Sequence, residues 1–312
     1  MSQLFEGFSR ASIPQSQHGK VPLDMADAEL VVLPEPTAAA EDLGNAVAEA
    51  AGHRLSGSAE IDKIGDDDRV RLVMAQPSAV SRLIAWDAPN SLGAEKFRAL
   101  AVRLDDMRRQ HELKSLQVTS SVISEGKSFV AANLAVTLAK YSGYKTLLIE
   151  GDLHRPTLAT MFGLKDLHGL SDWWTARNQE LAGYILRFTG TALSFLPAGK
   201  ACDRPSEILR SGQLADAFAR LRGQFDWIVV DSTPMLPVID ANLWSRLVDG
   251  SLLVVREGVA PLKALKKGLQ SLDNPKLIGV VVNEASDFDQ IEYEGQYYGA
   301  RKHGDKGSRK AH

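Results

Sequence analysis

Apolar residues along the chain come in short unbroken runs: Thr146–Glu150, Leu193–Leu196, Trp227–Asp231, Ser251–Arg256 and Leu277–Asn283. Each has strand length and lacks the polar alternation of a half-solvated strand, so each predicts a strand covered on both faces. Ser115–Ser120 reads as a further strand, and Val70–Met74 and Ile84–Trp86 as two short ones that dock beside it. Between the runs the apolar residues recur at helical spacing, over Leu92–Glu112, Lys127–Tyr141, Glu207–Phe225, Ile239–Leu247 and Pro261–Leu272. Strands that alternate with helices predict an α/β fold: a doubly wound, mostly parallel sheet with helices on either side. The pattern spans residues 87–286, and no internal repeat interrupts it.

Outside that span the chain changes character. Leu4, Phe5 and Phe8 suit one side of a short amphipathic helix over Met1–Ser12, and Glu6 and Gly7 interrupt them too soon for a signal peptide. Between Val21 and Val70 there are twelve Asp/Glu against three Lys/Arg, a net of −9, with few aromatic residues. That composition predicts a mobile acidic arm over residues 1–86. Residues 287–312 form a tail with Tyr293, Tyr297 and Tyr298, followed by Arg301, Lys302, Lys306, Arg309 and Lys310 against Asp305. The tyrosines sit beside Glu292 and Glu294, past the last strand, where a chain is commonly free to move. The basic end suits either solvent or an anionic lipid surface.

Composition narrows the function classes. The chain is 44% hydrophobic and 24% charged with a net charge of −3, so its overall charge offers no case for nucleic acid. One cysteine, Cys202, cannot form an internal disulfide, which suits a reducing cytoplasm. No apolar run approaches the roughly 18–20 residues of a membrane helix, so a soluble or peripherally attached protein is expected.

The chemistry concentrates at strand ends. Ser121–Ser128 reads S-V-I-S-E-G-K-S, after a strand and at the opening of a helix. Amides at a helix start lack internal partners and carry partial positive charge, so they bind phosphate. Ser124, Glu125, Gly126, Lys127, Ser128 and Phe129 would form that cradle, with Gly126 permitting close approach. Lys127 would reach the β- and γ-phosphates of ATP, and the Ser128 hydroxyl would ligate Mg²⁺. The first motif position, usually Gly, is Ser121. Two further strands end in acids, Glu150-Gly151-Asp152 and Asp231. Ligands of open α/β sheets bind at the carboxyl ends of strands, so Asp152 and Asp231 are candidate magnesium ligands. The alternative use of such acids is to cap the helices that follow.

This order of motifs resembles the bacterial tyrosine kinase family, the CpsD/CapB-type autokinases of capsule and exopolysaccharide synthesis. The resemblance covers about Ser91–Tyr298. It rests on T-S-S-V-I-S-E-G-K-S at Thr119–Ser128, Glu150-Gly151-Asp152 in place of a D-x-D motif, and Asp231-Ser232-Thr233-Pro234. A-A-N-L-A at Ala131–Ala135, Arg155-Pro156, P-S-E-I-L-R-S at Pro205–Ser211 and F-D-W-I-V-V-D at Phe225–Asp231 add to it. The resemblance implies a P-loop NTPase fold and an ATP-dependent tyrosine autokinase with the tail tyrosines as substrates. It implies a separate transmembrane polysaccharide co-polymerase as activator, at the inner face of the plasma membrane, and a cognate tyrosine phosphatase. It places the base for the tyrosine hydroxyl at Glu150, with Asp152 as the alternative catalytic carboxylate, an adenine contact at Asn283, and a ring contact at Glu95 and Arg98.

Three positions depart from the family pattern. Glu150 is one methylene longer than the Asp of the motif, His154 stands where an arginine is usual, and Ala101 replaces the last arginine of the E-x-x-R-x-x-R helix. They put catalytic rate and ring strength in question, so a weak homo-oligomer is expected. A second reading is therefore a catalytically weak ATP-binding regulator of a membrane polysaccharide co-polymerase. A ParA/MinD-type ATPase is a third, disfavoured by Val122 where that class carries a signature lysine.

Overall fold

The computed structural model describes residues 29–34, 71–77, 81–176, 179–236, 239–271 and 276–285. Strands are β1 (Glu29–Pro34), β2 (Arg71–Val73), β3 (Ser115–Ser120), β4 (Thr146–Glu150), β5 (Leu186–Phe188), β6 (Leu193–Leu196), β7 (Trp227–Asp231), β8 (Gly250–Arg256) and β9 (Leu277–Ala285). Helices are α1 (Ile84–Asp87), α2 (Leu92–Gln110), α3 (Lys127–Lys140), α4 (Leu158–Met161), α5 (Leu170–Ala176), α6 (Pro205–Leu209), α7 (Gly212–Arg222), α8 (Asp240–Leu247) and α9 (Leu262–Ser271). The strands form one nine-stranded sheet in the order β1-β9-β8-β3-β7-β4-β6-β5-β2. Pairing is parallel throughout except between β5 and β6.

The unbroken apolar runs follow from burial on both faces. Leu148, Trp227 and Val229 pack on one side with α2 and α3, while Leu147, Ile149, Ile228 and Val230 pack on the other with α7 and α8. Successive side chains of a strand point to opposite faces, so a two-faced core needs apolar residues at every position. Helix α3 lies deepest, with every residue from Val130 to Ala139 buried.

Several expected elements take another form. Ile84–Trp86 is not a strand but part of α1. Its Ala85 amide donates to Asn133 Oδ1 on α3 at 2.9 Å, and Asn133 Nδ2 donates to the Arg82 carbonyl at 3.2 Å. A three-residue apolar run cannot distinguish strand from helix by itself. The helix expected over Glu207–Phe225 is two, because Ser211 breaks it and caps α7 by accepting from the Leu214 amide at 3.1 Å. Strand β1 lies within the stretch read as a mobile arm and pairs with β9 from Glu29↔Gly279 to Val32↔Val282. Its run E-L-V-V-L-P is strand-like, but the acidic average of its surroundings concealed it. The rest of residues 1–70 and the tail from 286 onward, with Tyr293, Tyr297 and Tyr298, lie outside the described residues.

Candidate active site

Strands β3, β7 and β4 lie side by side, and each ends at the same edge with chemistry on it. Val118 of β3 is in register with Asp231 of β7, and Asp231 with Glu150 of β4. The loop after β3 turns through Ser124, at φ 65°, and Gly126, at φ 93°, before α3 begins at Lys127. Gly126 has no alternative: a Cβ there would sit 2.1 Å from Asn283 Nδ2. Glu125 is buried inside this loop, where its Oε2 accepts from the Val122 amide at 2.8 Å. Burial raises its carboxyl above the ordinary value despite that bond.

Lys127 is the centre of the site. Its Nζ lies 2.9 Å from Asp152 Oδ2 and 3.6 Å from Asp231 Oδ1. Burial alone would lower the lysine, but the two carboxylates outweigh it and hold it above its ordinary value. Asp152 also accepts from the Arg155 amide through Oδ1 at 3.0 Å. Asp231 is fully buried, and burial raises its carboxyl although Lys127 opposes the shift. At 3.6 Å the lysine is an ion-pair partner, and no donor stands in full hydrogen-bond geometry at either Asp231 oxygen, although Ser128 and Lys127 lie near enough to favour its charged form.

That orphaned carboxylate is the feature that fits a divalent cation. Buried polar groups are nearly always hydrogen-bonded, and one left unpaired calls for an ion or ordered water. No group of three or more His, Cys, Asp or Glu among the described residues is gathered to hold a metal alone. Mg²⁺ typically takes one or two carboxylates and completes its octahedron with water and substrate phosphates. Ser128, Asp231 and Asp152 are the residues that could hold such an ion.

Glu150 behaves differently from Asp152. It is buried, with Oε1 accepting from the Leu158 amide at 2.6 Å and the Ala159 amide at 3.2 Å, and Oε2 from the Ala198 amide at 3.0 Å. Burial raises its carboxyl and those three bonds oppose the rise. Gly151, between the two acids, lets Trp244 approach: its carbonyl accepts from Trp244 Nε1 at 3.1 Å, and a Cβ would meet that ring at 2.9 Å.

A curated relative, the tyrosine-protein kinase CapB of Staphylococcus aureus, described as putative, is 34% identical over 223 residues, covering 71% of this chain and 95% of CapB. The chain belongs to the bacterial tyrosine kinase family. The solved structure of the chimerical protein CapA2B2 is 29% identical with a TM-score of 0.62, covering 70% of this chain and 94% of that one. The succinoglycan biosynthesis transport protein ExoP of Rhizobium meliloti is 35% identical over 229 residues, which are 72% of this chain but only 29% of ExoP. No family model matches the sequence. By family the chain is a tyrosine-protein kinase, and its P-loop is a site for a nucleotide with a divalent metal.

Within the kinase fold, the remaining expected residues are placed as follows. Asn283 is buried and donates from Nδ2 to the Glu125 carbonyl at 3.0 Å, so it braces the back of the P-loop. The Phe129 ring packs edge-on to Phe97 at 5.7 Å, leaving only its backbone for the cradle. On α2, Arg98 donates to Glu95 Oε2 from Nε at 2.9 Å and to the Pro89 carbonyl at 2.7 Å, so both ring-contact residues are engaged within the chain. Ala101 is 3% exposed and faces the core. Sequence reasoning missed Asp240, which is buried at the start of α8 and whose Oδ2 lies 2.9 Å from His154 Nε2. Its only signal was an acid opening a helix, which reads first as a capping residue. No helix among the described residues is long and apolar enough to cross a membrane.

Proposed function

We propose that this chain transfers the γ-phosphoryl group of Mg·ATP to tyrosine hydroxyls, its own Tyr293, Tyr297 and Tyr298 first, in the control of exopolysaccharide or capsule assembly. The observation that carries the reading is the convergence of Lys127 with the buried carboxylates of Asp152 and Asp231. Mg²⁺, held by Ser128 and Asp231 and leaving Asp152 for the proton, would neutralise charge on the phosphates. The P-loop amides bind the phosphates, and Lys127 stabilises charge on the transferring group. Asp152 orients the tyrosine hydroxyl and accepts its proton; the tyrosine oxygen gains the phosphoryl group and ADP leaves. We assign the proton to Asp152 rather than Glu150 because three backbone amides hold Glu150, whereas Asp152 has one amide on Oδ1 and, on Oδ2, the Lys127 side chain that moves onto the phosphates when nucleotide binds.

A transmembrane polysaccharide co-polymerase is the partner we infer. ExoP, named as a transport protein, contains a matching segment within a much longer chain. A tyrosine phosphatase would reverse the modification. The engaged Glu150 and the His154 substitution favour a second reading, a nucleotide-binding regulator with little turnover.

The deciding experiment incubates the full chain with γ-labelled ATP and magnesium. Wild type is expected to label on tyrosine, Lys127→Met not at all, and the combined Tyr293→Phe, Tyr297→Phe, Tyr298→Phe variant only weakly. Undiminished label in the triple variant would move the acceptor elsewhere. Tight Mg·ATP binding without any label would favour the regulator.

A further inference from the structure

Eight buried side-chain polar atoms among the described residues lack a hydrogen-bond partner, and four of them belong to Ser121, Asp231 and Thr233, all at the nucleotide edge of the sheet. Asp231 has already been placed on the metal. Thr233 has no role in the chemistry so far. It is 1% exposed and lies two residues beyond Asp231, where the D-T/S-x-P pattern leaves the residue unspecified.

Its neighbours set it apart. The Thr119 hydroxyl donates to the Thr233 carbonyl at 2.9 Å, the Ser120 hydroxyl to the Val122 carbonyl at 2.7 Å, and the Ser232 hydroxyl to the Val118 carbonyl at 3.2 Å. These three hydroxyls hold the loops together. The Ser232 and Met235 amides, which donate to the Val118 and Ser120 carbonyls at 3.0 Å and 2.8 Å, fix the segment carrying Thr233 along the end of β3. Thr233 is thus held rigidly beside the P-loop with its own hydroxyl unpaired. Leaving a buried hydroxyl unpaired is costly, and a ligand oxygen would recover that cost.

We propose that Thr233 is a further ligand-binding residue of this site, its hydroxyl donating to an oxygen of the magnesium–phosphate unit, either a phosphoryl oxygen or a metal-bound water. The inference rests on the nucleotide site proposed above. It adds a contact from the end of β7 to those of the P-loop amides after β3, so that the phosphates are held from two strands.

The test uses Thr233→Val, which keeps the shape and removes the hydroxyl, and Thr233→Ser, which restores it. Nucleotide-free Thr233→Val is expected to melt at or above the wild-type temperature, since it loses an unpaired buried group. Calorimetry should show its affinity for Mg·ADP or Mg·ATP reduced about 3- to 10-fold, with Thr233→Ser close to wild type. A loss that persists with ADP in chelator assigns the contact to a phosphoryl oxygen, and a loss seen only with magnesium assigns it to the water shell. Unchanged affinity in Thr233→Val, or a lower nucleotide-free melting temperature, overturns the proposal. Lys127→Met is carried alongside: if it binds as wild type does, the nucleotide site itself is misplaced, a failure distinct from this one.

Discussion

Glu150 and Asp152 stand two residues apart on one strand end, yet their surroundings give them different work. Asp152 keeps one oxygen on Lys127, while Glu150 ties the end of β4 to α4 and to the segment after β6. The added methylene is what lets the carboxylate reach those amides. Shortening it draws the oxygens back by more than 1 Å, roughly the change that takes a hydrogen bond out of range. Glu150→Asp is therefore expected to lower stability by about 1–3 kcal/mol and to reduce turnover by loosening the segment between β4 and α4. Glu150→Gln keeps an acceptor for the α4 amides and should retain turnover within about tenfold of wild type, an ordinary loss for an indirect role. Thermal melting and initial autophosphorylation rates check both. Complete loss in Glu150→Gln with an unchanged melting temperature would return the base to Glu150.

At the scale of the element, α2 illustrates how a motif on paper differs from a face in space. Glu95 is exposed, Arg98 half-buried and Ala101 buried, because three-residue steps fall short of a full helical turn and drift around the axis. Val102, 62% exposed, continues the solvent face instead. An arginine at 101 would carry its charge into the core formed with α3. Ala101→Arg is expected to lower stability by about 3 kcal/mol or more and not to strengthen association. Val102→Arg adds the same charge in water and should leave the melting temperature nearly unchanged. Differential scanning calorimetry with light scattering on the two variants checks this; a tighter, fully stable Ala101→Arg oligomer would contradict it.

Across the whole molecule the two edges of the sheet divide the labour. The carboxyl edge carries the unpaired Ser121, Asp231 and Thr233, and part of the opposite edge is closed by a satisfied cluster. There Asp249 accepts from the Lys114 and Ser115 amides at 3.1 and 3.0 Å, from the Ser115 hydroxyl at 2.8 Å, and from Arg222 at 2.7 Å. Burial pushes its carboxyl up, but Arg222 and the other donors outweigh it and hold it below the ordinary value. A depressed carboxyl stabilises the fold above its unfolded pKa, about 3.9, and loses that contribution as the pH falls through the folded value. Asp249→Asn should therefore cost about 2 kcal/mol at pH 7, with the gap to wild type closing below about pH 4. Melting curves of both proteins across that range give the answer, and a gap independent of pH would show that charge is not the cause. Sequence alone determined the sheet strands β3, β4, β6 and β7 to the residue: burial on two faces makes β4 and β7 nearly continuous apolar runs, and β3 was marked by its place before the S-V-I-S-E-G-K-S loop. It also singled out Lys127, Asp152 and Asp231, whose lysine the fold brings to 2.9 Å and 3.6 Å from the two carboxylates, because a Gly-Lys-Ser at a helix start and acids at strand ends stand out without context. It did not supply β1, whose strand exists only through pairing with β9, nor the break at Ser211. The turn of Ala101 into the core, the engagement of Glu150, the pairing of His154 with Asp240 and the unpaired Thr233 hydroxyl were equally invisible. Each depends on which groups from distant parts of the chain meet, and only the folded arrangement decides whether a polar atom finds a partner.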